Sequence, residues 1–168
     1  MADSIFLAKV KNSLAIVDVD VTQYDIIFIA GGWGAAYDLG YSTELGEKIT
    51  EAYYADKQAV IGGVCHGVLG LIKAKDRDGN LLIAGRRMTG VTDKQIKELG
   101  IIDITPQHPE AELPKAGVIF ESQTAFRDLF ATHVVVDDEE RFVTGQNQNS
   151  GHETAQKMMA IVAKNSML

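Results

Sequence analysis

The sequence is short of several things, and each shortage excludes something. It has a single cysteine in 168 residues, so no intrachain disulfide can form, which fits a reducing compartment. Basic residues are few: sixteen Lys and Arg stand against twenty-three Asp and Glu, a formal net charge of −7. No Lys- or Arg-rich stripe interrupts the acidity, and nucleic-acid affinity rests on clustered basic side chains. Nucleic acid is therefore excluded as the main partner. Long hydrophobic runs are also missing. The longest apolar-leaning stretch, 26–36, is too short and too glycine-rich for a membrane span of about 20 residues. The start, Met1-Ala2-Asp3-Ser4-Ile5-Phe6, holds no basic segment followed by an apolar one, so no signal peptide is visible. The expected location is the cytoplasm, with no membrane partner.

What is present suits one domain spanning residues 1–168, with 46% apolar and 23% charged residues, ample for a core under an ordinary surface. Ile26-Ile27-Phe28-Ile29-Ala30 is a β-branched and aromatic run that ends at Gly31-Gly32, and Ala59 to Val64 is a second; both read as strands buried on two faces. Ser42 can cap a helix with Leu45, Ile49 and Tyr53 on one face. A helix is expected from His66 to about Ala74. Thr92 and Gln95 have capping-box spacing ahead of Ile96 and Leu99, and Gly100 can end that helix. Gly117 to Phe120 reads as a third strand, and 134–136 with 141–144 as a hairpin around the acidic turn Asp137 to Glu140, expected to be a solvated tip. Ser150 and Glu153 suggest a capping box opening a final helix through Met158, Met159 and Val162. Strands alternating with helices predict an α/β fold, a mostly parallel sheet covered on both faces.

The chemistry concentrates at Gly63-Val64-Cys65-His66-Gly67, between a strand and a helix. This is the nucleophile-elbow pattern with cysteine in place of serine. Small flanking residues let the tight turn bring backbones together and lift the sulfur to the carboxyl end of the sheet. A helix start adds positive potential there, which predicts a thiolate-rich Cys65 near neutral pH. His66, beside it at a sharp turn, suits a general base and acid. Asp93 is the first acid beyond the next expected strand; it can orient that imidazole, or serve equally as a first-turn acid favoured by the helix dipole. Gly31-Gly32-Trp33-Gly34 lies at the same sheet edge, where backbone N–H groups can approach an oxyanion together with the amide of His66. A dinucleotide loop fits poorly, because Tyr37 occupies the third glycine position. His108, His133 and His152 lack metal-ligand spacing, so no metal is expected and the three read as structural or solvent-facing.

Four motifs, in order, carry a family resemblance: Ile29 to Ala35, Val64-Cys65-His66-Gly67, Met88 to Asp93, and Val143 to Asn147. They resemble the ThiJ/PfpI superfamily, of glutamine amidotransferase-like fold, and more narrowly its heat-shock-chaperone and glyoxalase III branch, from about residue 10 to the C-terminus. The resemblance implies a flavodoxin-like three-layer sandwich, a homodimer, and no cofactor. It also implies a cysteine that adds to the aldehyde of methylglyoxal, with lactate released after an enediol-like species and hydrolysis. Carried over, Cys65 is the nucleophile, His66 its partner and Gly32 an oxyanion-hole donor. Asp93 aligns with the acidic third member in part of the branch; another part has a glutamate where this chain has Ile96.

Two departures stand out. Trp33 occupies a position where the branch often has His. Relatives begin with a strand–helix–strand unit that brings a glutamate to the cysteine, whereas residues 1–24 are atypical here, so an N-terminally incomplete fold is expected. That would leave the strand at 26–30 as an unpaired apolar edge. Four further readings accompany the glyoxalase one: a stress chaperone working through exposed apolar surface, a PfpI-like thiol hydrolase, a catalytically impaired fragment, and a redox sensor.

Overall fold

The computed structural model describes residues 4–167. Four strands form the main sheet in the order β1-β2-β6-β5: β1 Ile26–Ile29, β2 Val60–Val64, β5 Val134–Val136 and β6 Phe142–Gly145. β1, β2 and β6 run parallel, with Ile26 opposite Val60 and Ile61 opposite Phe142. β5 returns antiparallel on β6, the expected hairpin. A separate parallel pair joins β3, Arg87–Met88, to β4, Ile119–Phe120. The third strand read from the sequence therefore shrinks to two residues and leaves the main sheet.

Among the described residues, six α-helices accompany them: α1 Ser4–Lys11, α2 Ala35–Asp38, α3 Thr43–Tyr54, α4 Asp93–Glu98, α5 Pro109–Lys115 and α6 Gly151–Asn165. Because side chains alternate along a strand, neighbouring residues of β2 and β6 feed two different cores. Ile61 and Phe142 pack with Ile49 and Ala52 of α3, Leu113 of α5, and Val68 and Leu71. Val60 and Val143 face Met158 and Ile161 of α6 on the other side. Helices thus cover both faces, as expected for a flavodoxin-like sandwich.

Caps follow the sequence in two of three cases. Ser42 Oγ accepts from the Leu45 amide at 3.0 Å and Thr92 Oγ1 from that of Gln95 at 3.1 Å. Gly100, at φ 72°, follows α4 in the left-handed conformation that ends helices. Ser150 does not cap α6. Asn147 Oδ1 accepts from the Asn149 and Ser150 amides instead, and Ser150 is itself helical.

The acidic turn is also less exposed than expected. Asp137 is buried, ion-paired to Arg86, and accepts from the amides of Arg141 and Phe142 at 2.7 Å each. The segment before β1 holds α1 and two 3₁₀ turns, Ile16–Asp18 and Val21–Gln23; its first three residues lie outside the described ones. No strand precedes β1 among the described residues, and β1 is an edge of the sheet with Phe28 exposed.

Phe142 is 1% exposed, stacks on Tyr53 at 5.8 Å and lies under the Arg86 guanidinium. Phe142→Ala is expected to cost about 3–5 kcal/mol, read as a lower urea midpoint of unfolding.

Candidate active site

The expected helix after β2 is a 3₁₀ turn, Cys65–Leu71, buried along its whole length. Cys65 sits at its start with φ 58°, a left-handed conformation that a non-glycine residue holds only when its surroundings enforce it. Those surroundings are backbone. A Cβ on Gly31 would stand 2.5 Å from the Val64 carbonyl oxygen and 2.8 Å from Cys65 Cβ. One on Gly67 would stand 2.5 Å from the Ile29 oxygen. The glycines on either side of the elbow are spatial requirements of the turn.

Cys65 and His66 are both buried, with Sγ 3.6 Å from His66 Nδ1. The backbone amides of His66 and Gly32 hydrogen-bond to the sulfur; they are the two amides that the sequence reading names for an oxyanion. The site opens into a cavity of about 650 Å³ lined by Phe28, Gly31, Gly32, Trp33, Cys65, His66, Gln95 and Gln148 among others. Trp33 forms one wall, its Nε1 donating to Thr105 Oγ1 at 3.0 Å and its ring meeting Tyr37 edge-on. Gly34 is outside the lining and opens α2 instead.

Asp93 is not brought to His66. Its Oδ1 lies 2.9 Å from His108 Nδ1, and its amide donates to Glu110 Oε2 at 2.6 Å. As the first residue of α4 its carboxylate turns toward the start of α5, so of the two readings the first-turn acid is the one that this geometry matches. His66 Nε2 is buried without a hydrogen-bond partner among the described residues. The Asp93–His108 pair escaped the sequence because the two residues carry no shared motif. Gln95 is hidden for another reason: its spacing from Thr92 explains it as half of a capping box.

The sequence profile of the DJ-1/PfpI family matches residues 6–161. The chain belongs to the DJ-1/PfpI family. It is 30% identical over 94% of its length to "Glyoxalase 3" of Candida albicans, covering 66% of that protein. It is likewise 30% identical to "Glutathione-independent glyoxalase HSP31" of Saccharomyces cerevisiae, covering 61% of it. The chain thus spans just under two thirds of these curated relatives. Among solved structures it resembles the rapid encystment protein of Francisella tularensis, with TM-score 0.84 and 30% identity over 96% of this chain and 68% of that one. Glyoxalase III from Candida albicans superposes with TM-score 0.77 and 31% identity, over 94% of this chain and 65% of that one.

In this DJ-1/PfpI site, burial decides the charge state. Desolvation pushes the Cys65 thiol up from its ordinary value, outweighing the two amides that favour thiolate. The thiolate-rich cysteine expected from the elbow is therefore not what the structure supports. The elbow opens a 3₁₀ turn rather than an α-helix, and the sulfur is removed from water. Burial first, and the nearby His108 second, lower His66 to about 4. Near neutral pH the pair is thiol and neutral imidazole, with His66 Nδ1 3.6 Å from the sulfur. The rate of Cys65 alkylation by iodoacetamide is expected to keep rising with pH beyond the ordinary thiol midpoint of about 8.5. An inflection below pH 7 would contradict this reading.

Proposed function

We propose that the protein is a glutathione-independent glyoxalase that converts methylglyoxal to lactate, with Cys65 as nucleophile and His66 as proton carrier. The observation that carries this is the buried Cys65–His66 pair, 3.6 Å apart, under two amides at the mouth of a largely apolar cavity. The names of the relatives from Candida albicans and Saccharomyces cerevisiae support the same reaction.

The chemistry balances with these groups alone. Sulfur bonds to the aldehyde carbon while the thiol proton passes by way of His66 to the aldehyde oxygen, steadied by the amides of Gly32 and His66. His66, neutral again, takes the hydrogen on that carbon as a proton and passes it to the ketone oxygen, giving an enediol. The proton on the first oxygen then moves, again by way of His66, to the neighbouring carbon as the thioester carbonyl forms. The result is a lactoyl thioester on Cys65. Water cleaves it, releasing lactate and restoring the thiol. Neither an oxidant nor a reductant is needed, since one carbon is oxidised as its neighbour is reduced. Asp93 acts at most on His108 in this scheme, and Gly31 and Trp33 shape the pocket. The same reading takes the working unit to be a homodimer in the cytoplasm, for which size-exclusion chromatography with light scattering is the direct check.

Lactate is expected from the parent protein with methylglyoxal and no glutathione, and none from Cys65→Ala. His66→Ala should lower kcat about 10²–10⁴-fold, the usual worth of a positioned proton carrier. Because His66 must be neutral to accept the proton and its midpoint is lowered to about 4, the acid limb of kcat/KM should fall near pH 4 rather than near 6.5. Suppressed aggregation of a client protein by the parent and by Cys65→Ala alike, with no lactate from either, would favour the chaperone reading instead.

A further inference from the structure

The cavity beside Cys65 has apolar walls, yet a buried amide, Gln95, and a more exposed one, Gln148, face each other within its lining. Gln95, on α4, is 2% exposed, and its Nε2 donates to Gln148 Oε1 at 3.2 Å. Its Oε1 is buried without a hydrogen-bond partner among the described residues. Exchanging the nitrogen and oxygen of both side-chain amides leaves one polar atom of Gln95 unused all the same. The capping-box spacing offers no explanation, because Thr92 Oγ1 caps the Gln95 backbone amide while the Gln95 side chain turns to Gln148. A buried amide atom left unsatisfied costs about 1–3 kcal/mol. Native interiors hold few such atoms, and each calls for an explanation.

We infer that Gln95, oriented by Gln148, is the specificity-determining residue of the pocket: it hydrogen-bonds the oxygen on the carbon next to the one that Cys65 attacks. This rests on the glyoxalase reading above and deepens it. The reasoning is one of allocation. The amides of Gly32 and His66 already converge at the sulfur and serve the oxygen of the attacked carbon, and the His66 ring is taken up with proton transfer. Of the side chains that line the cavity, Gln95 and Gln148 are the only remaining polar ones among the described residues. An amide suits the task chemically. It can donate to a ketone oxygen in the substrate and accept from the hydroxyl that this oxygen becomes in the enediol. No cationic side chain lines the cavity among the described residues, so the preferred ligands are neutral aldehydes carrying a second, vicinal oxygen. A site built to hydrogen-bond a substrate group discriminates strongly against the analogue that lacks it.

Methylglyoxal and propanal form a matched pair, three carbons each and differing by the ketone oxygen. Each adds reversibly to Cys65, forming the sulfur–carbon bond and moving the thiol proton to the aldehyde oxygen, and so protects the thiol from iodoacetamide. In Gln95→Leu the apparent dissociation constant for protection by methylglyoxal should rise about tenfold, while that for propanal stays within twofold. The alkylation rate without aldehyde and the thermal midpoint report whether the variant is folded, and Gln95→Met carries the same comparison should the leucine variant fail to fold. Equal losses for both aldehydes, no loss for methylglyoxal, or no preference of the parent for methylglyoxal over propanal would each overturn the inference. A separate lactate assay distinguishes the two proposals. Selective protection that depends on Gln95, without lactate, sinks the glyoxalase reading and leaves the role of Gln95 standing. Lactate with protection indifferent to Gln95 does the reverse.

Discussion

A cysteine held in a left-handed backbone conformation, with no room on either side of it, is the constraint on which this structure depends. Such a conformation costs on the order of 1–3 kcal/mol and survives only where packing enforces it. Here the enforcement comes from the parallel pairing of β1 and β2, which sets Ile29 opposite Gly63 and carries the end of β1 directly past the elbow. The 3₁₀ turn that follows is compressed for the same reason. A Cβ on Gly70 would stand 2.8 Å from Leu45 Cδ2 and 3.1 Å from Ile29 Cδ1, so the turn lies flat on α3 and β1. Val68, Leu69 and Leu71 are wholly buried beneath it. Sheet register, helix position and the angle of one sulfur are thus a single packing problem.

That packing also sets the electrostatics. Burial disfavours charge on thiol and imidazole alike, so the pair waits uncharged and separates charge only as a proton moves. A neutral resting pair suits attack on an uncharged, strongly electrophilic carbonyl, where a standing thiolate is not required. Charged groups collect at the opposite edge of the sheet, where Arg141 precedes β6 and Asp137 follows β5. There Arg86 pairs with Asp137 and Glu139 and lies over the Phe142 ring. The buried Asp137 carboxylate has its partner there, as burial demands, whereas the lining of the cavity at the other end holds no Lys, Arg, Asp or Glu among the described residues.

The sequence made legible what short-range patterning controls. The two long parallel strands, the β5–β6 hairpin, the α3 and α4 caps and the elbow cysteine each rest on residues within a few positions of one another. What it concealed depends on distant groups. Ser150 has the right spacing for a cap, but Asn147, buried under the chain at Ala131 and Asp128, caps the turn before it by accepting from the Asn149 and Ser150 amides, which leaves Ser150 already helical. Asp137 reads as a solvated tip until Arg86, fifty-one positions away, closes on it. Asp93 and His108 carry no common motif, and only the approach of α5 to α4 makes them a pair. The charge state of Cys65 was misread for a related reason: an elbow implies helical potential, and the depth of burial that opposes it is a tertiary property.

Trp33 shows how one residue redistributes polarity across the site. Its indole nitrogen is committed to Thr105, whose hydroxyl in turn donates to the Ile101 carbonyl at 2.7 Å, and the Tyr37 hydroxyl donates to the Ile104 carbonyl at 2.6 Å. These bonds tie the glycine-rich loop after β1 to the segment between α4 and α5, closing that side of the cavity with ring surface and no free donor. Polar side chains that remain available to a ligand are then confined to the elbow and to the wall made by α4 and the turn before α6. A ligand in such a cavity is oriented by position rather than by charge: apolar parts against Trp33 and Phe28, oxygens toward His66 and Gln95. The orientation follows from which polar atoms the fold has already consumed, and it was set once the loop after β1 packed against Thr105.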